Sequence, residues 1–402
     1  MSEVVVTGLG VVGPFGLGRE ALAQGLAIGE PRTVEVEHGG RNRPVAALLA
    51  ARLTANLTAL LPPGAARRMS PPARFAVAAT RLALADAGLA SGSDTAECGI
   101  VTGTAWGPPW VTEQLLSQIL LKGPDAASPA LFTESVANAS AAQMALAIQA
   151  RGPTQTITQR ESSDLIALAE GARLIRNGRC ERVLVGVVDE IVPILHSLLD
   201  RLRALARPHA DRPERARPFD ARRDGFLLAE GASVLVLESL RAARARGATV
   251  LCRVHAAVAA FDPSAPAHDW GSGGIALATT LRHGLESREV ATSEIDRIIS
   301  GASGSRRGDR LEAAVLSALW NGRELPPVVA PKGTSGEYGG GFLAAAILAL
   351  AGSPIAAPAG FEKIDPELGV RPHAGPLPRP KRALVSALSA GGTAAWAVLG
   401  EP

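Results

Sequence analysis

The strongest constraint on this chain is an alternation that runs twice along its length. Short apolar or β-branched runs are followed by stretches whose apolar residues recur at helical spacing. In the first half, Val4 to Thr7, Cys98 to Thr102, Thr154 to Thr158, Arg182 to Val188 and Ala232 to Glu238 read as strands. Pro72 to Gly88, Thr112 to Leu121 and Ser162 to Asn177 read as helices, the first and last closed by Gly88 and Gly178. The second half repeats the theme. Leu251 to Ala259 and Ile295 to Ser300 read as strand, and Gly274 to Leu285, Leu311 to Leu319 and Gly341 to Leu350 as helix. Ala383 to Leu399 reads as a strand pair around Gly391-Gly392. Such alternation predicts an α/β protein of two similar layered units, residues 1–240 and 241–402, integrated as one body.

The 402 residues are 47% hydrophobic and only 3% aromatic, so Ala, Leu and Val must fill the interior. Forty-one basic against 38 acidic residues give a net charge of +3, too small and too dispersed for a nucleic-acid footprint. Cys98, Cys180 and Cys252 are far apart and odd in number, which argues against a disulfide framework or a metal site and for a reducing, cytoplasmic setting. The first residues, MSEVVVTGLGVVG, carry neither the basic nor the apolar region of a signal peptide. No run of 18 or more apolar residues exists, and the apolar stretch Ala344 to Ala351 is too short to span a membrane. The glycines from Gly8 to Gly18 do not fit GxGxxG followed by a ribose-binding acid, so no nucleotide cofactor is expected. Arg201 to Arg223, with eight arginines against three acids, reads as an exposed, solvated excursion. His196 precedes it, His209 lies within it, and both read as packing or surface residues rather than ligands.

Five segments carry a family resemblance. VVVTGLGVVGPFG (Val4 to Gly16) and ARPFDARRDGFLLAEGASVLVLE (Ala216 to Glu238) are similar to motifs of the β-ketoacyl-acyl-carrier-protein synthases, the condensing enzymes of the thiolase superfamily. RGPTQTITQRESSDLIALAEGARLIRNG (Arg151 to Gly178) stands where that family has its nucleophile strand and helix. PKGTSGEYGGG (Pro331 to Gly341) and SALSAGGTA (Ser386 to Ala394) match its two C-terminal glycine-rich motifs. The order is right and the whole chain is covered, which implies the thiolase fold with an αβαβα layering.

The same resemblance implies a lost active site. A cysteine at a helix N-terminus is the family's nucleophile, its pKa lowered by the dipole and its oxyanion held by backbone N–H groups. Here Glu161 stands at that position. The family's two histidines correspond to Gly301 and Glu337, and only Lys332 of the group is retained. Its gating phenylalanine corresponds to Ala390. Acyl transfer and condensation on this chain are therefore not expected. Glu161 is expected to serve as a helix cap, with Lys332 and Glu337 as a buried pair beside it. Ser162, the neighbour of Glu161, lacks a histidine in any matched motif to activate it.

A subunit of this description resembles the chain length factor, or ketosynthase β subunit, of type II polyketide systems. That resemblance implies a heterodimer with an active ketosynthase, a shared tunnel for a chain tethered to an acyl carrier protein, and no cofactor or metal. Polyene or aryl-polyene pathways come into view because Glu161 stands where such subunits usually carry Gln. Trp106, Trp110, Leu131 and Phe132 are candidates for the tunnel floor or for packing at the dimer interface. Two other readings stay open: a malonyl-carrier-protein decarboxylase or acyltransferase using Glu161, and a homodimeric acyl-binding scaffold.

Overall fold

The computed structural model describes residues 2–36, 47–64, 66–338 and 341–402. Ten strands form the spine of one sheet: β1 (Val4–Gly13), β2 (Gly99–Gly103), β3 (Thr154–Ile157), β4 (Arg182–Asp189), β5 (Gly231–Ser239), β6 (Cys252–Phe261), β7 (Arg297–Ser300), β8 (Val328–Val329), β9 (Arg382–Leu388) and β10 (Thr393–Gly400). Their order across the sheet is β8-β7-β9-β10-β6-β1-β5-β4-β2-β3, with a two-residue strand at Gly16–Leu17 added to β1. Subtracting five from each label of the C-terminal set reproduces the N-terminal order, 3-2-4-5-1. The strand senses repeat too: β2 is parallel to β3 and β4 as β7 is to β8 and β9, and the remaining pairs are antiparallel. The seam between the sets is short, pairing Val4 to Val6 of β1 with Cys252 to Val254 of β6.

Period-two alternation divides each strand between two cores. On β5, Leu235 and Leu237 face one core, and Val234 and Val236 another. On β9, Ala383, Val385 and Ala387 face that same first core, whereas Leu384 and Leu388 face a third. The shared inner core holds helices α6 (Ser163–Arg176) and α12 (Gly341–Leu350), so the sheet folds around them. Outside the N-terminal strands lie α2 (Pro71–Ala87) and α5 (Ala139–Ile148); outside the C-terminal strands lie α9 (Gly274–Glu286) and α10 (Arg306–Leu319). The result is a five-layer α–β–α–β–α stack. Every residue of α12 is buried, which is why it is apolar on all sides rather than along one stripe. Gly10 is required by α2: a Cβ there would lie 2.0 Å from the Ala79 carbonyl oxygen. Among the described residues no helix is long and apolar enough to cross a membrane.

The arginine-rich stretch is exposed at Arg201, Arg203 and around His209, but its second half corrects the sequence reading. Arg217 and Arg223 are only 1% and 3% exposed, and Phe219 and Asp220 are fully buried. Arg217 pairs with Glu362 at 2.9 Å, and Arg223 with Asp365 at 2.6 Å. Asp220 accepts from the Glu362 amide at 2.7 Å, and Asp309 from the Phe219 amide at 2.8 Å. Carboxylates from segments 86 to 145 residues away neutralise these arginines, so the stretch fastens the two halves together. His196 is fully buried and bonds the Leu49 carbonyl at 3.2 Å, while His209 meets Asp224 at 2.5 Å.

Candidate functional site

The C-terminal ends of β2, β3, β7 and β9 open toward one region, where an α/β sheet places its ligands. There β3 leads into a single tight turn, Arg160–Ser162, and then into α6. Arg160 takes a left-handed φ of 51°. Its Nη1 donates to the Ala390 carbonyl at 3.1 Å, in the turn that Gly391 and Gly392 make possible with φ of 91° and 96°.

Glu161 is partly buried, but its Oε2 is enclosed and has no hydrogen-bond partner. The residue lines a small cavity with Asp164 and Glu337, within reach of the Lys332 charge. Burial raises its pKa, against the opposing effects of its own amide, Lys332, Arg160 and Ser389. Ser162 is committed elsewhere: its amide donates to Ser389 Oγ at 2.8 Å, the two hydroxyls stand 2.7 Å apart, and its Oγ donates to the Ala387 carbonyl at 3.1 Å. A hydroxyl so held has neither a free trajectory nor a base.

Lys332 opens the short helix α11 (Lys332–Ser335) and is 1% exposed. Its Nζ lies 2.7 and 2.8 Å from the two Glu337 oxygens and 4.6 Å from the centre of the Phe342 ring. Burial alone would lower its pKa, but Glu337, Asp164 and Glu161 outweigh it and hold the ammonium. Asp164, one turn along α6 from Glu161, is buried as well, and desolvation pushes its pKa to about 7 despite Lys332. Glu337 is pushed by burial to about 8, with Lys332 opposing and Glu161 and Asp164 adding. Three carboxyl groups thus share one ammonium in a dry interior, and the cluster keeps protons that each acid would release in water. The cavity among Glu161, Asp164, Asp189, Glu337 and Tyr338 measures about 10 Å³, room for about one water.

The remaining candidates fall into place around this cluster. At Gly301 a Cβ would lie 2.4 Å from the Ser386 carbonyl oxygen, so this backbone admits no side chain, histidine included. Trp106 packs partly buried against Phe226 and its neighbours. Trp110 opens α3 (Pro109–Lys122) and is 44% exposed; Phe132 on α4 (Pro129–Glu134) is 62% exposed, beside the half-buried Leu131. Ala390 contributes its carbonyl to Arg160. Cys98 and Cys180 precede β2 and β4, at the opposite end of those strands, and Cys252 begins β6. All three are buried, and desolvation pushes Cys98 to about 11 and Cys252 to about 12, the reverse of a reactive thiol.

Asp164, Asp189 and Tyr338 belong to the site without having been singled out from the sequence. Asp189 Oδ1 accepts from Thr104 Oγ1 (2.8 Å) and from the amides of Ala105 (2.8 Å) and Trp106 (3.1 Å), fixing the turn that roofs the cavity. Tyr338 keeps a buried hydroxyl with no hydrogen-bond partner. Asp164 was within reach, since it sits three residues after Glu161 on the same helical face.

Residues 1–243 match the family model described as β-ketoacyl synthase, N-terminal domain. The chain belongs to the β-ketoacyl synthase family. It is 32% identical over 391 residues to the "Putative polyketide beta-ketoacyl synthase 1" of Streptomyces halstedii, covering 91% of this chain and 89% of that one. It is 30% identical over 335 residues to a 3-oxoacyl-[acyl-carrier-protein] synthase 2 of Rhizobium meliloti, covering 79% and 78%. The solved ishigamide ketosynthase/chain length factor superposes with a TM-score of 0.88 at 26% identity, over all of this chain and 99% of that one. The five-layer stack of this β-ketoacyl synthase relative is the thiolase fold that its motifs implied.

Proposed function

We propose that this protein is a non-catalytic, ketosynthase-like subunit, a chain length factor. It pairs with an active ketosynthase in the cytoplasm and shapes the tunnel in which a carrier-bound polyketide chain grows. The observation that carries this reading is the occupation of the nucleophile position. Glu161 stands there, beside the Lys332–Glu337–Asp164 cluster, and about 10 Å³ remains beside it. Thioester exchange needs a thiolate, a base and room for a tetrahedral intermediate, and the three thiols of this chain lie elsewhere and are buried.

The surface supports a partner. Leu116, Leu120 and Leu121 of α3, with Trp110 and Phe132, are large apolar groups left exposed on neighbouring elements, the composition of a buried interface core. In this reading Trp110 and Phe132 are covered by the ketosynthase and contribute to its tunnel floor, with Trp106 and Leu131 behind them. The halves 1–240 and 241–402 act as one unit.

Co-expression with an active ketosynthase from the same source tests the proposal. The expected product is a one-to-one complex whose condensing activity requires the partner's cysteine and is unchanged in Glu161→Gln. A homodimer indifferent to the ketosynthase, or turnover that disappears in Glu161→Gln, would overturn it.

A further inference from the structure

At the end of α12 remote from Lys332, about 15 Å along the helix, lies a cavity of about 230 Å³. Its walls are Ala27, the segment from Gly352 to Ala357, the proline-rich stretch from Gly375 to Pro380, and Arg297 at the start of β7. Ile355 and Leu377 give it apolar surface continuous with the central core. Its charged side chains are Arg297 and Arg379, and no lining residue is acidic.

Arg297 is 5% exposed. One Nη donates to the Pro378 carbonyl at 2.9 Å, while Nε has no hydrogen-bond partner. Burial lowers its pKa, and the adjacent Asp296 offsets this only in part. The Asp296 carboxylate is itself taken by the amides of Lys381 (2.8 Å) and Arg382 (3.2 Å). A guanidinium withdrawn from water normally has an anion against its fork. The C-terminus of α12 does not supply one: the carbonyls of Ile347, Leu348 and Ala349 accept from Ala351, Ser353 and Gly352, and the Leu350 carbonyl accepts from Arg379 Nε at 2.5 Å. Two full positive charges therefore outweigh the partial charge of the helix end.

We propose that this cavity is a binding site for a short-chain organic carboxylate, held by the Arg297 guanidinium with its aliphatic tail against Ile355 and Leu377. The space of about 230 Å³ admits a ligand with a short aliphatic tail, for which hexanoate serves as the probe. The apolar walls select against inorganic anions, and the Arg297 charge, met by no anion among the lining residues, selects against neutral lipids. The site is separate from the Glu161 cluster and does not depend on the chain-length-factor reading.

Titration of the full chain with hexanoate, 1-hexanol and inorganic phosphate, followed by line broadening in proton NMR, tests it. Hexanoate should bind saturably and at least tenfold more tightly than either control. Arg297→Met should reduce hexanoate to the level of hexanol. Ala356→Phe, which fills the cavity and leaves the guanidinium in place, should remove hexanoate binding from a folded protein even where the Arg297 variant fails to fold. Absence of saturable binding, equal affinity for phosphate, or hexanoate affinity unchanged in either variant would overturn the site.

Discussion

Replacing Lys332 by Met tests whether the buried cluster is an electrostatic unit. Met follows the path of the lysine stem, so the change removes a charge with little change of volume. Two contacts disappear: the ion pair to Glu337 at 2.7 Å and the cation–π contact to Phe342 at 4.6 Å. A desolvated cation–π contact is worth about 2 kcal/mol, and that part of the loss does not depend on pH. The remainder does. In the wild-type fold Glu337 releases its proton near pH 8, beside Lys332. Without the ammonium it keeps the proton to higher pH, while the unfolded chains of both proteins are ionised from about pH 4.5 upward. Above about pH 8 the folded variant therefore binds one proton more than the folded wild type, and its stability falls by an additional ~1.4 kcal/mol per pH unit. The expected destabilisation is about 2 kcal/mol at pH 7 and about 4 kcal/mol at pH 9.5, within the range for breaking a buried pair. Urea unfolding at these pH values reads it directly. The double variant Lys332→Met/Glu337→Gln loses the Glu337 share of this effect and should have a shallower pH slope than the single variant. A loss that is the same at both pH values, or a double variant with the slope of the single one, would refute the shared-ammonium account.

Other consequences can be measured alongside. Glu161→Gln replaces a buried carboxylate whose Oε2 is unpartnered, and should be neutral or stabilising by about 1–2 kcal/mol at pH 8 in urea unfolding. In the wild type, Asp164, Glu312 and Glu337 hold protons in the fold up to about 7, 7 and 8 that the unfolded chain has released. Stability should therefore decline as pH rises from about 5 to 8 and level off above; a flat profile over that window would contradict the cluster. Asp309→Asn alters a buried carboxylate that accepts from the amides of Phe219, Ser303 and Gly304 and faces Arg223. It should cost about 2–4 kcal/mol, read as a lower urea midpoint. A thiol reagent should leave Cys98, Cys180 and Cys252 unmodified in the native protein and label all three once it is unfolded.

Much of this fold was legible because its elements announce themselves locally. The all-apolar run Gly341–Leu350 reads as a buried helix, and Gly88 in the left-handed conformation closes α2 where the sequence placed its end. Arg201 to Arg223 misled because charge composition is a local signal, whereas Glu362, Asp365 and Asp309 arrive through tertiary folding. At the site, motif spacing located Glu161, Lys332 and Glu337 but not the direction of the Glu161 carboxylate. The left-handed backbone of Arg160 just before Glu161 is a state few non-glycine residues betray in sequence. Asp189 gave no signal, since an acid ending a strand has no local mark of the three donors that converge on it.

The central layer also bears on synthesis at the ribosome. Val4 and Leu9 on β1 share their core with α12, which begins about a hundred residues after β5 ends, whereas Val185 and Leu237 already pack on α6 at Gly171. At roughly 5–20 residues per second, the β1 part of that face waits on the order of ten seconds for its cover. During this interval the nascent chain presents an apolar sheet surface to its surroundings. A fragment ending near residue 243 would hold it open permanently, so the N-terminal half should emerge as a client for chaperones and not as a free-standing domain.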